Sequence, residues 1–465
     1  MKNKPFYITA AIPYVNAKPH IGHALEFLQV DVIARYHQQQ GENVITLTGS
    51  DENALKNVQA AELARVPVKE FVDNNADSFI ELTKKLNTPF NVFQKGSDQL
   101  HHQSTQDLWQ LCQKDIYKKD YRGLYCVGCE TFYTVEELNE RGECFEHPGK
   151  KLEEISETNY FFKLSRYQEI LKKLISSDEI KIYPISRKNE VLSFLKQPLQ
   201  DISISRSNIR AKNWGVPVPN DPTQRIYVWF DALNIYRSGV DRSIWPADIH
   251  VIGKGIIKFH ALYWPAFLLS AKLPLPKSIF VHGYLTVNGQ KMSKTVGNII
   301  DPFEIINKYG ADTLRYYLLK EIPTFDDGNF SYDRLNEIYN ADLANELGNL
   351  VSRLTNLGQQ DKIIIDHKDK DIKDNRRNHR QTILQFNVII ENVWKEIKAL
   401  NKSIDEFAPW KKTPSERKGF LQESLIKLNS VACDLWPLLP DTAEKIFKST
   451  LGEIKKITPL FPRIK

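Results

Sequence analysis

The stretch from Phe6 to Tyr36 fixes the kind of fold this chain can build. An apolar run, Phe6 to Ile12, leads through a loop to Pro19-His20-Ile21-Gly22-His23, and Ile21, Leu25, Leu28, Val32 and Ile33 then recur at helical spacing. The pattern is strand, loop, helix. A helix starting near Pro19 points unpaired backbone N–H groups and the positive end of its dipole into the loop. There His20 and His23 can donate to phosphate oxygens, and Gly22 lets a nucleotide approach the backbone closely. On these residues alone, two histidines at a helix start serve equally well as cap or core residues.

A second segment, Lys291-Met292-Ser293-Lys294-Thr295, sits in a glycine-flanked loop from Val287 to Asn298. Alone it reads as a solvated lysine loop. Paired with the histidine segment it completes one nucleotide-activating site, because its two lysines can neutralise charge on a triphosphate during transfer. No side chain there needs to be a nucleophile.

Length bounds the rest. At 465 residues the chain exceeds one hydrophobic core, so about three domains are expected, and 42% hydrophobic residues suffice to fold them. The formal net charge of +6 permits a polyanionic partner without proving one. Met1-Lys2-Asn3-Lys4 before an apolar run superficially resembles a secretory signal, but Pro13, Asn16 and Lys18 break it. Even Ile256 to Leu269 carries Lys258 and His260, so no stretch reaches the roughly 18 apolar residues of a membrane span. A cytoplasmic protein with no membrane partner is expected.

Five cysteines are too few for a disulfide framework, and three fall into a metal pattern. Cys126-x2-Cys129, fourteen residues, then Cys144-x2-His147 suits one closed tetrahedral structural zinc site, with Gly128 and Gly142 in the turns. Scattered thiols beside a surface histidine are the other reading. Cys112 and Cys433 lie in apolar helical contexts and read as small buried hydrophobes.

With these residues in place, the chain resembles the bacterial-type methionyl-tRNA synthetases, a family of class I aminoacyl-tRNA synthetases. The likeness is carried by Ala11-Ile12-Pro13-Tyr14 with Pro19 to His23, Leu47-Thr48-Gly49-Ser50-Asp51-Glu52, the cysteine knuckle, Asn189 to Phe194, Tyr227-Val228-Trp229-Phe230-Asp231-Ala232-Leu233, and His260 to Pro265. It implies that ATP, with Mg2+, and L-methionine form methionyl adenylate and pyrophosphate, after which methionyl passes to initiator and elongator methionine tRNAs. It also implies that His20, His23, Lys291 and Lys294 are the catalytic residues, Lys294 foremost, and that Gly22, Gly253 and Ser293 help hold ATP. A methionine pocket would be formed by Ile12, Tyr14, Asp51, Trp229, Ala232, Tyr236, Ile256, His260 and Trp264. In it Asp51 pairs the substrate ammonium, and the Tyr14 hydroxyl and His260 contact the sulfur. Without the resemblance, Trp229 and Trp264 read as core aromatics.

The implied fold is α/β. A Rossmann-like parallel-sheet catalytic domain spans 1–114 and 225–272, with a zinc-knuckle connective domain inserted at 115–224. A segment carrying the lysine loop follows at 273–335, and an all-α anticodon-binding bundle at 336–465. Helical periodicity over Leu335 to Leu357, Gln381 to Asn401 and Phe420 to Leu439 agrees with the bundle, and Asp366 to Arg380 reads as an exposed charged connection. There the resemblance picks Asn349, Arg353 and Trp410 as anticodon readers, whereas the residues alone suggest a polar helix face and a buried tryptophan. The family's usual serine is Thr295 here. Its acidic residue near the ribose is Gly255, and its histidine and glycine after Asp51-Glu52 are Asn53 and Ala54. Two alternatives remain at this stage: a catalytically impaired tRNA-binding paralogue, and a class I synthetase for another amino acid. Ending at Lys465, the chain is expected to be a monomer.

Overall fold

The computed structural model describes residues 4–129, 131–133, 138–146, 149, 151–292, 297–365 and 384–463, with the side chains of Thr131 and Lys291 excepted. Its chain divides into two compact units. One comprises residues 1–19, 43–81 and 89–282; the other comprises 20–42, 82–88 and 283–465.

The first unit is built on a parallel sheet of six strands among the described residues: β1 (Phe6–Thr9), β2 (Val44–Ser50), β3 (Val92–Lys95), β4 (Lys181–Tyr183), β5 (Ile249–Gly253) and β6 (Ser278–His282). Their order is β3-β2-β1-β5-β6-β4. Strands covered on both faces read as continuous apolar runs, which is how Tyr7, Ile8 and Phe280 come to be fully buried. The register pairs Ile8 with Ile249 and Ile252 with Val281. A strand at Lys181–Tyr183 was not foreseen; it adds residues from within 115–224 to an edge of this sheet. The same stretch also forms a separate antiparallel sheet from Ile116–Cys126, Thr131–Tyr133, Glu153–Phe162 and Ile202–Ser203.

The second unit is mostly helical. Helices Asn349–Gln360, Phe386–Phe407 and Pro414–Leu435 overlap the three segments of expected helical periodicity, and Pro440–Thr450 adds one that was not foreseen. The third of them starts with a reciprocal capping box: the Thr413 hydroxyl accepts from the Glu416 backbone, and the Glu416 carboxylate accepts from the Thr413 backbone at 2.8 Å. The helix Ile21–Gln39 belongs to this unit, fastened by Arg315. That guanidinium is fully buried; it pairs Asp31 at 2.7 Å and donates to the carbonyls of Leu86, Asn87, Pro437 and Leu438. The charged connection Asp366 to Arg380 lies outside the described residues.

Cys112 and Cys433 are buried as expected. Among the described residues no helix is long and apolar enough to cross a membrane.

Candidate active site

In the first unit the strand order reverses between β1 and β5, and the crevice beyond the C-terminal ends of strands at such a point is where open α/β sheets bind ligands. Ile12 and Tyr14 follow β1, Asp51 follows β2, and Gly253, Ile256 and His260 end or follow β5. The helix Val228–Ser238 carries Trp229, Ala232 and Tyr236. Asp51 is placed by its backbone: its N–H donates to the Pro13 carbonyl at 2.8 Å, pairing Tyr14 with Asp51, and its carbonyl accepts from Asn57 Nδ2 at 2.8 Å. The Tyr14 ring stands edge-on to Trp229 at 6.2 Å, and Trp229 stacks on Phe259 at 3.7 Å and 6°. One turn of π-helix, Phe259–Tyr263, presents both Phe259 and His260. Trp264 is fully buried, edge-on to Trp245 at 5.6 Å, with its Nε1 lacking a hydrogen-bond partner among the described residues.

His260 differs from expectation. Its Nδ1 lies 2.9 Å from the Ile256 carbonyl, which can only accept, so Nδ1 carries the proton. Burial lowers its pKa to about 4, leaving the ring neutral, and Nε2 therefore accepts from the Tyr236 hydroxyl at 2.8 Å. In this arrangement the imidazole has no N–H to give a thioether. It holds Tyr236 in the wall instead.

Behind the wall lies a polar network that the sequence did not reveal. Asp231, fully enclosed, receives His101 Nε2 at 2.8 Å, the Thr105 hydroxyl at 3.0 Å and Asn53 Nδ2 at 2.7 Å, while His101 Nδ1 meets the Ser238 hydroxyl at 2.7 Å. Burial pushes the Asp231 carboxyl up, but His101, His102 and Asn53 outweigh it and hold the pKa below the usual range. Asn53 thus ties the Asp51 loop to the helix that carries Trp229.

In the second unit His20 is the N-cap of Ile21–Gln39. Its Nδ1 accepts from Gly22 N at 3.1 Å, and His23 Nδ1 accepts from His20 N at 3.1 Å, a capping box made of imidazoles. Burial lowers the His20 pKa to about 4, and burial plus the neighbouring His20 lowers His23 well below the usual value. Both rings are therefore neutral with Nδ1 accepting, which leaves the proton on each Nε2. A Cβ on Gly22 would fall 2.9 Å from His20 Cε1 and 3.7 Å from Met292 Cε. Any side chain at position 22 would therefore displace the capping ring, and it would also meet the Met292 side chain.

The thiols of Cys126, Cys129 and Cys144 gather within 4.8 Å of one another. Sγ separations of 3.4 and 3.5 Å approach the roughly 3.8 Å edge of a tetrahedron with zinc–sulfur bonds of about 2.3 Å. The Tyr133 hydroxyl donates to Cys129 Sγ at 3.0 Å. Three thiols in this arrangement can hold a metal ion.

Residues 6–355 match the family model described as tRNA synthetases class I (M). A methionine–tRNA ligase of Brucella suis is 37% identical, covering 96% of this chain and 92% of that protein, and one of Synechocystis is 38% identical over 95% and 89%. A structure titled Mycobacterium tuberculosis methionyl-tRNA synthetase in complex with methionyl-adenylate is 34% identical with a TM-score of 0.90, covering 99% of this chain and 100% of that one.

This chain belongs to the class I methionyl-tRNA synthetases.

Of the residues that the synthetase resemblance singled out, the nine of the methionine pocket lie in the first unit, and the histidine segment lies in the second. Ser293, Lys294, Thr295 and His147 fall outside the described residues, as does the Lys291 side chain. Gly253 packs near the His282 ring, 3.5 Å from where its Cβ would be. In the helical unit, Asn349 and Arg353 line an open groove of about 630 Å³ with Asn401, Lys398 and Lys402. Trp410 is 50% exposed, not buried, and the Arg353 guanidinium sits 5.0 Å from its ring centroid while pairing Asp405 at 2.6 Å. Phe259, Asn57 and His101 were missed by sequence reading. His101 acts through a contact distant in sequence, Phe259 lies within an ordinary apolar run, and Asn57 bonds the Asp51 carbonyl from the helix that follows it.

Proposed function

We propose that the chain works as a methionine–tRNA ligase through the residues described above: it joins L-methionine to ATP as methionyl adenylate, releases pyrophosphate, and transfers methionyl to the terminal ribose of a methionine tRNA with release of AMP. The observation that carries this reading is the end-to-end likeness to a methionyl-tRNA synthetase solved in complex with methionyl-adenylate. A methionine carboxylate oxygen attacks the α-phosphorus while the bond to pyrophosphate breaks, so the protein supplies position and charge and no covalent partner. His20 and His23 donate their Nε2–H groups to phosphate oxygens, assisted by the helix N-terminus and the close approach at Gly22. Lys291 and Lys294, with Ser293, close over the triphosphate, and Lys294 stabilises the pentacovalent transition state. Gly253 borders the nucleotide. Mg2+, entering with ATP, would share the triphosphate charge.

Asp51 pairs the substrate ammonium. Aromatic walls formed by Tyr14, Trp229 and Tyr236, with Ile12, Ala232, Ile256 and Trp264, suit a flexible, polarizable thioether. We assign the directed contact to sulfur to the Tyr14 hydroxyl, since His260 has both nitrogens engaged. A structural zinc held by Cys126, Cys129, Cys144 and His147 would cross-link the knuckle. In the helical unit, the half-exposed Trp410 offers a ring for stacking an unpaired base, and Asn349 and Arg353 can bond its edge, as expected for a CAU anticodon. The protein acts as a cytoplasmic monomer with the domain plan 1–114 and 225–272, 115–224, 273–335 and 336–465.

The test is charging of a methionine tRNA transcript with each amino acid in turn. Methionine alone should be attached; attachment of another amino acid in preference would overturn the reading.

A further inference from the structure

The helix Leu55–Ala64 begins against the usual rules. Its N-cap, Ala54, supplies no side-chain bond, its first turn holds no acid, and its second residue is Lys56, a cation at the end of a helix that disfavours one. Sequences that break a local rule tend to do so where another requirement prevails. Here the requirement is visible. Lys56 Nζ stands 3.1 Å from the centroid of the Tyr14 ring and donates to the Gly128 carbonyl at 3.0 Å. Gly128 lies between Cys126 and Cys129, whose thiols meet that of Cys144. The next carbonyl, that of Cys129, accepts from Trp229 Nε1 at 3.3 Å, and Trp229 is edge-on to Tyr14. The contacts close a ring: knuckle, Lys56, Tyr14, Trp229, knuckle.

We propose that Lys56 is a positioning residue that couples the thiol knuckle to the methionine pocket, its ammonium pinning the Tyr14 ring on one side and the Gly128 carbonyl on the other. The inference rests on reading this pocket as the methionine site. Filling the pocket fixes Tyr14 and Trp229 and so strengthens the knuckle's hold on its metal. Reciprocally, an emptied knuckle loosens both aromatic walls, and the two effects are equal in size by linkage. Neither Lys56 nor the two carbonyls need touch the reacting atoms.

The experiment uses the full zinc-loaded chain and compares wild type with Lys56→Met, which keeps the aliphatic stem without the charge, and Lys56→Arg, which keeps a cation able to cover a ring and donate to a carbonyl. Two quantities are read: KM for methionine and for ATP in pyrophosphate exchange, and the rate of zinc transfer to a chromophoric chelator with and without methionine, ATP being absent. The expected results are zinc release slowed severalfold by methionine in wild type and a methionine KM raised about tenfold in Lys56→Met with ATP KM unchanged. Methionine should no longer protect the zinc of that variant, and Lys56→Arg should recover both properties. A methionine KM within about twofold of wild type in Lys56→Met, or wild-type zinc release indifferent to methionine, would overturn the coupling. If Lys56→Met does not fold, Lys56→Gln, which retains a donor for Gly128 without charge over Tyr14, is held to the same criteria for KM. A wild type lacking any methionine-dependent exchange overturns the functional reading itself, and is told apart because it precedes every variant.

Discussion

At the scale of single residues the chemistry depends on where protons sit. His20, His23 and His260 are each neutral, with tautomers fixed by backbone partners: two keep the proton on Nε2, and one directs its proton to a carbonyl and its lone pair to a hydroxyl. Burial lowers His260 to about 4 and His250 well below its usual value. Between about pH 6.5 and 4 the unfolded chain takes up these protons and the folded chain does not, so stability is full above that window and falls as pH falls through it. Replacing His260 by Gln should flatten the acid side of the stability curve by up to about 1.4 kcal/mol per pH unit, measured as denaturant midpoints followed by tryptophan fluorescence. Parallel curves for wild type and variant would show that His260 binds a proton as readily folded as unfolded.

Much at this scale was legible, and the limit is physical. His20 and Gly22 sit within one short motif, where helix-start chemistry is local. The bond from His101 to Asp231 joins residues 130 positions apart, and nothing periodic in either neighbourhood announces it. The role of His260 could not be read either, because a tautomer is set by which carbonyl the ring meets.

Elements were legible in proportion to their length. Phe386–Phe407 repeats its apolar face over 22 residues, and Ile389, Ile390, Val393, Trp394, Ile397, Leu400 and Ile404 are buried as the period requires. The strand Lys181–Tyr183 has three residues, too few for any period, and it joins the sheet only because Ser278–His282 offers an edge. Equally short is the turn Pro409–Lys411, whose tryptophan is half exposed. It stands half exposed beside Arg353, where base stacking is proposed. Replacing Trp410 by Ala is expected to raise the KM for methionine tRNA by about fivefold to a hundredfold, from a stacking contribution of about 1–3 kcal/mol, while pyrophosphate exchange stays unchanged. Equal losses in both assays would show that the ring supports the fold.

For the whole molecule, the order β3-β2-β1-β5-β6-β4 places the residues after β1, β2 and β5 around one crevice, and a second unit carries both the histidine cap and Met292 of the lysine loop. The parallel sheet and the helical unit followed from the sequence because strand-loop-helix units and long amphipathic helices are local patterns. The assignment of the interleaved segments 20–42 and 82–88 to the second unit did not, since it depends on contacts such as those of Arg315 that only the assembled chain makes. The proposed activation of methionine works by charge and position. It is tested most directly by methionine-dependent exchange of pyrophosphate into ATP, measured for wild type and Lys294→Ala against a panel of amino acids. Exchange with methionine alone, reduced by orders of magnitude in the variant at little changed methionine affinity, is the result predicted. Exchange that survives the substitution, or silence with methionine in a folded protein, would contradict it.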